Sequence, residues 1–184
     1  MSETDQAERF TALMHEVAAP LRRYIARRTG AASVEDVVSD VLLVLWRRLA
    51  DVPIDEPLPW AYAVARGCLA NHHRAVGRHL RLVQRLTRLE RPYGRLASHD
   101  PADDSSDDEA DVHAALARLR ELDREVVMLW AWEGLAPREI ATVTGLTPNA
   151  VSIRLHKAKK VLAADLGKTP SRAGHERDIE RRPR

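Results

Sequence analysis

PREIATVTGLTPNAVSIRLHKAKK, residues 137–160, holds two short apolar-periodic stretches divided by a glycine turn. Ile140 and Ala141 mark the inner side of the first stretch, where a small Ala lets a second helix approach closely. Gly145 supplies the permissive backbone of the turn. Thr147 is a good N-cap and Pro148 suits the first helical position, so a last helix runs from Pro148 to about Leu166. Val151, Leu155, Ala158 and Leu162 form its inner stripe. Asn149, Ser152, Ile153, His156, Lys157 and Lys160 fall on the opposite side, with Arg154 at the flank. Helix, glycine turn, helix is the helix-turn-helix arrangement. The outer set suits a major groove: Asn and Arg make bidentate contacts to base edges, Ile touches a thymine methyl and Lys pairs with phosphate. An ordinary amphipathic hairpin needs none of the turn, cap, small residue and basic face together. Their coincidence favours a DNA reader.

Two further helices precede this motif. Val112 to Leu122 is amphipathic through Val112, Ala115, Leu116 and Leu119. Asp123 to Glu133 carries Val126, Val127, Leu129 and Trp130. Before them, Tyr93 to Asp111 lacks apolar periodicity and gathers Pro101, three serines and an acidic run, which reads as a linker. Seven acids between Asp100 and Asp111 are accompanied by no Lys or Arg, so a net charge of +2 conceals a strongly positive remainder. That balance suggests a polyanionic partner.

The N-terminal portion is also helical in pattern. One helix spans about Asp5 to Arg28, with Pro20 expected to bend or interrupt it. A second begins near Ser33 and ends near Leu49; Val34, Val37, Val38, Val41, Leu42 and Leu45 follow helical spacing. Three prolines and two acids make Val52 to Pro59 a loop. A third helix starts near Pro59 and continues toward Leu89. Its latter half carries Arg74, Arg78, Arg81, Arg85 and Arg88 at spacings that put all five on one face. From Arg66 to Arg95 there are eight arginines and one acid, Glu90, so the stripe repels itself unless an anion is near.

The expectation is therefore an all-α chain of two small helical domains. These are 5–90 and 112–166, joined by a flexible acidic linker at 91–111 and followed by a disordered tail at 167–184. Aromatic residues are scarce, so the cores must be built from Leu, Val and Ala. No apolar run is long enough for a membrane span and Met1 to Phe10 shows no secretory signal, which implies a cytoplasmic protein without membrane insertion. One cysteine, Cys68, excludes an internal disulfide framework. Scattered histidines, with His72 and His73 pointing to different faces, argue against a metal site. No phosphate loop or nucleophile motif is present, so neither a catalytic residue nor a cofactor is expected.

At these residues a resemblance appears. Arg124-Glu125-Val126-Val127, Gly134-Leu135, Glu139-Ile140-Ala141, Gly145-Leu146 and Ala150-Val151 through Ala158 resemble region 4 of the extracytoplasmic-function (ECF) sigma factors, within the sigma-70 family. VEDVVSDVLLVLWRRL, Val34 to Leu49, resembles region 2.1 to 2.2. Pro59-Trp60-Ala61-Tyr62 with Val64-Ala65-Arg66 resembles the start of the helix spanning regions 2.3 and 2.4. The matches come in the family's order, with its linker between them.

The resemblance implies an alternative sigma factor that binds core RNA polymerase, recognises minus-35 and minus-10 promoter elements and promotes DNA opening. Asp36, Asp40 and Arg47 would meet the beta-prime clamp helices. The 52–59 loop, with Asp55, would cup a base flipped from the minus-10 element. Trp60, Arg66, Asn71, Arg74 and Arg78 would grip the same element. Arg138, Asn149, Ser152, Ile153, Arg154, His156 and Lys157 would serve the minus-35 element, and the first helices of region 4 would rest on the beta flap. An anti-sigma factor is a common partner in the family. Ser39, Leu42, Gly67 and Asn71 depart from the family's frequent residues, so no promoter sequence transfers. The competing readings are a free-standing helix-turn-helix regulator, which would not need Asp36, Asp40 or the Trp60 helix, and a sigma-like adaptor without promoter opening.

Overall fold

The computed structural model describes residues 3–90 and 107–166, and every regular element in them is helical. The acidic run before Asp107 and the tail after Leu166 lie outside the described residues. Helix α1 spans Glu3–Ala26, α2 Val34–Arg47 and α3 Pro57–Glu90; α4 spans Asp107–Arg118, α5 Glu121–Ala131, α6 Pro137–Thr144 and α7 Pro148–Leu166.

In the first unit, Leu13, Val17, Leu21, Tyr24 and Ile25 of α1 pack against Val37, Val41 and Leu45 of α2 and Ala61, Tyr62, Ala65 and Leu69 of α3. Phe10 and Trp46 close one end edge-to-face, with ring centroids 5.1 Å apart. Small alanines on α3 let the three helices approach closely around two buried tyrosines. In the second unit, α4, α5 and α6 enclose the inner stripe of α7, where Val151, Leu155 and Ala158 are buried.

Several boundaries differ from the sequence reading. Helix α1 runs through Pro20 without interruption. It ends at Ala26, after which Arg28 N–H turns back to the Ile25 carbonyl at 2.9 Å. Helix α2 does start after Ser33 as read, with Ser33 at the N-cap position though without a side-chain cap bond, and a short 3-10 turn at Ala31–Ser33 leads into it. Helix α3 begins at Pro57, not Pro59, because both prolines fit a first turn whose N–H groups have no intrahelical acceptor. In the second unit α4 starts at Asp107, inside the span read as linker. The break to α5 falls at Leu119 and Arg120 rather than after Leu122. Arg120 is extended there (φ −60°, ψ 145°). The α6–α7 turn matches the reading: Gly145 is left-handed at φ 74°, and Thr147 Oγ1 accepts the Ala150 N–H at 3.2 Å.

The two units are joined face to face. Helix α6 lies along α3, and the buried residues of both units form one continuous cluster.

Candidate nucleic-acid interface

The recognition surface of α7 follows from its register. With Val151, Leu155 and Ala158 buried beneath it, Asn149, Ser152, Ile153, His156 and Lys157 all stand exposed. Ile153 is 48% exposed, a large apolar side chain presented to solvent among polar ones. The Ser152 hydroxyl donates to the Pro148 carbonyl at 3.0 Å. Arg154 departs from this set: its Nη1 donates to Asp123 Oδ1 at 2.7 Å and ties α7 to α5. Lys159 Nζ sits 3.2 Å from the ring centre of Trp130, a tryptophan 42% exposed, in a cation–π contact that also joins α7 to α5.

The α3 surface is cationic. Arg74, Arg78, Arg81 and Arg85 are exposed along one face, and among the described residues none of the four enters a salt bridge. Arg88 lies where side chains are not described. Arg74 Nη2 donates to Asn71 Oδ1 at 2.5 Å, and Arg81 Nε to the Gly77 carbonyl at 2.9 Å. Nearer the start of α3, Trp60 is half-buried with the Arg48 guanidinium 5.2 Å from its ring centre. Trp60, Arg48, Val64, Gly67 and Asn71 line a hollow of about 340 Å³ between α2 and α3. Arg48 has no place in the sequence reading of the site; it is the C-cap of α2, where periodicity says nothing of direction. Cys68 lines the same hollow, and burial, assisted by the Asp40 charge, pushes its thiol pKa up.

Asp55 is exposed in the loop before α3, beside Ile54 at 84% exposure. The loop is anchored at its start, where Arg9 Nη2 donates to the Val52 carbonyl at 3.1 Å. Asp36, Asp40 and Arg47 share the exposed side of α2. Arg66 stands apart from the other α3 residues: it lines the cavity between the two units, not the face of Arg74 and Arg78.

That joint is the feature sequence reasoning missed. Tyr24 donates to Glu125 Oε1 at 2.8 Å, and Arg28 Nε reaches Glu125 Oε2 at 3.2 Å. Arg27 Nη1 and Arg28 Nη1 reach Glu133 Oε1 at 3.1 and 3.4 Å, and Tyr62 donates to Glu133 Oε2 at 3.4 Å. The Glu133 side chain is 3% exposed and that of Arg28 7%. Burial foremost, then the Glu125 charge, raises the Tyr24 pKa well above the usual phenol range; burial and Glu133 do the same to Tyr62. Both phenols are therefore neutral donors. Farther along, Arg138 Nη2 meets Glu56 Oε1 at 2.6 Å, holding α6 against the loop before α3. Among the described residues no cluster of His, Cys, Asp and Glu is disposed to hold a metal ion, and no helix is long and apolar enough to cross a membrane.

Comparison with known proteins matches residues 13–79 to sigma-70 region 2 and residues 109–162 to sigma-70 region 4. The ECF RNA polymerase sigma factor SigF of Caulobacter vibrioides is 31% identical over 146 residues, covering 78% of this chain and 77% of the relative. The RNA polymerase sigma factor CnrH of Cupriavidus metallidurans is 30% identical over 138 residues, covering 71% and 72%. Among solved structures, CnrH in complex with the cytosolic domain of CnrY superposes with a TM-score of 0.57 at 26% identity, over 86% of this chain and 87% of that one. The fold is likewise that of the sigma factor RpoE in its complex with the anti-sigma factor NepR from Bartonella quintana, with a TM-score of 0.63 at 21% identity over 87% and 98%. With both regions present in order and relatives matched over most of their length, this chain belongs to the extracytoplasmic-function sigma factors of the sigma-70 family.

Proposed function

We propose that this alternative sigma factor engages core RNA polymerase through Asp36, Asp40 and Arg47 of α2 and reads its promoter with two separate surfaces. Asn149, Ser152, Ile153, His156 and Lys157 enter the major groove at the minus-35 element. Trp60, Asn71, Arg74 and Arg78 hold the minus-10 element, and the loop bearing Asp55 receives its flipped base. The observation that carries this reading is the exposed face of α7 above a buried stripe, in one chain with an arginine face of α3 that enters no salt bridge among the described residues. Phosphate contacts supply salt-dependent affinity, base contacts supply discrimination, and capture of an unstacked base offsets the cost of opening the duplex. The chain makes and breaks no bond. It acts in the cytoplasm, where polymerase and promoter are.

Geometry adds a condition. Elements centred about 25 base pairs apart are separated by roughly 85 Å of duplex. Here α6 lies directly on α3 and α7 lies on α6, so the two readers stand within a few helix diameters of about 10–12 Å each. The units must separate to read both elements at once. Separation also releases Arg138 from Glu56, making it available to the minus-35 element. Arg154, held by Asp123 inside its own unit, acts instead to fix the seat of α7. Relatives solved with anti-sigma partners make such a partner part of this reading too.

Run-off transcription with purified core polymerase and a genomic fragment library tests the proposal. Discrete new transcripts, whose alignment yields two promoter elements, are the expected result. Polymerase binding without initiation would favour an adaptor, and neither binding nor initiation would overturn the reading.

A further inference from the structure

Between the units lies a cavity of about 740 Å³, walled by α1 and α3 on one side and α4 and α5 on the other. Four guanidinium groups line it, from Arg27, Arg28, Arg66 and Arg124, against the carboxylates of Glu121 and Glu125. Glu125 is already engaged by Tyr24 and Arg28. The Arg28 side chain is over nine-tenths buried, and while its Nε and Nη1 are bonded, its Nη2 is buried and finds no acceptor among the described residues. A buried N–H group of a charged side chain left without an acceptor is costly. Arg66 and Arg124, half-buried on opposite walls, form no ion pair among the described residues. Three guanidinium groups thus line one space, with no shared acceptor among the described residues.

We infer that this cavity binds a phosphate-bearing small molecule of nucleotide size, clamped between Arg28 and Arg66 of the first unit and Arg124 of the second. Guanidinium groups match phosphate oxygens in fork geometry, and three converging from two sides suit a group with several oxygens better than a single water. The volume falls in the range of small-molecule sites and exceeds a lone phosphate. The rest of the wall, Leu69, Met128 and Trp132, offers an apolar and aromatic seat for the remainder of the ligand. Because the ligand touches both units, it binds the closed arrangement and not the separated one, so its concentration shifts the chain away from promoter reading. The site itself does not depend on the promoter assignment.

The test uses the full chain titrated with ADP, pyrophosphate and adenosine, followed by calorimetry and tryptophan fluorescence. ADP is expected to saturate a single site and raise the melting temperature, with adenosine silent. Arg66→Gln and Arg124→Gln, whose unliganded melting should be unchanged, each weaken ADP about tenfold, as expected for loss of a charge-assisted bond. Pyrophosphate binding as tightly as ADP would support the site and assign recognition to phosphate alone. Absence of saturable binding at millimolar ADP and pyrophosphate would overturn the inference. So would an affinity lowered by Arg78→Gln and Arg81→Gln but not by Arg124→Gln, which would move the anion to the exposed stripe of α3.

Discussion

Asn149 and Lys157 share one face of α7 but should act in different ways. Asn149→Ala is expected to cost about 1–3 kcal/mol of discrimination at one base pair of the minus-35 element, with little change on unrelated DNA. Lys157→Ala should weaken binding across all sequences and lower the slope of log K against log salt by about 1. Fluorescence anisotropy of holoenzyme on matched and mismatched duplexes, repeated over a salt series, separates the two. Equal losses on both duplexes for Asn149→Ala would remove it from base reading. This face was legible because a buried stripe at 151, 155 and 158 dictates what lies opposite. Arg154 and Arg66 were not. At the edge of a helical face, direction depends on a partner distant in sequence: Asp123 is 31 residues from Arg154, and the cavity wall opposite Arg66 belongs to the other unit. Periodicity has no access to either.

The turn between α6 and α7 shows what is legible at the level of elements. Gly145 sits at φ 74°, and a methyl group there would meet nothing within 4 Å, so the cost of a side chain is purely conformational. Gly145→Ala is therefore expected to destabilise the chain by about 1–2 kcal/mol, measured as a lower urea midpoint with unchanged slope. A change much larger than this would mean that α7 has lost its seat. The turn could be read because glycine, threonine and proline each state a backbone requirement. The boundaries around Arg120 and Pro57 were less legible, since two nearby positions satisfied the same rule. Pro57 and Pro59 both suit a first turn, and the apolar spacing through 119–123 fits one helix ending late or two meeting early. What decides between them is packing: Leu119 is buried and turns its N–H back to Leu116, so the break falls there.

For the whole molecule, the sequence announced two helical units but not that they close on each other. The partners, Tyr24, Arg27 and Arg28 on one side and Glu125 and Glu133 on the other, are separated by about a hundred positions, and the four charged ones look like ordinary surface charges in each helix taken alone. The buried phenols give this joint a pH signature. Their pKa values are raised in the folded chain, so the folded state holds the phenolic protons more tightly. The associated stability is fully present below the ordinary tyrosine pKa of about 10 and is lost as pH rises beyond it. Absorbance at alkaline pH should show both tyrosines resisting ionisation until the units part. Glu133→Gln probes the same joint near neutral pH. It removes the charge facing Arg27 and Arg28 while keeping the size of the side chain, and leaves the buried Arg28 with one compensating carboxylate in place of two. Stranding a buried charge costs about 3–5 kcal/mol when no partner remains, so partial loss should fall near or below the lower end. If the closed arrangement competes with polymerase, weakening it raises the fraction ready to bind and tightens apparent affinity for core enzyme. Small-angle scattering should then show a larger radius for the variant, together with stronger capture by core polymerase. A larger radius with unchanged capture would mean that closure does not gate the chain. An unchanged radius would mean that the apolar seam between α3 and α6, not the ion pairs, holds it shut.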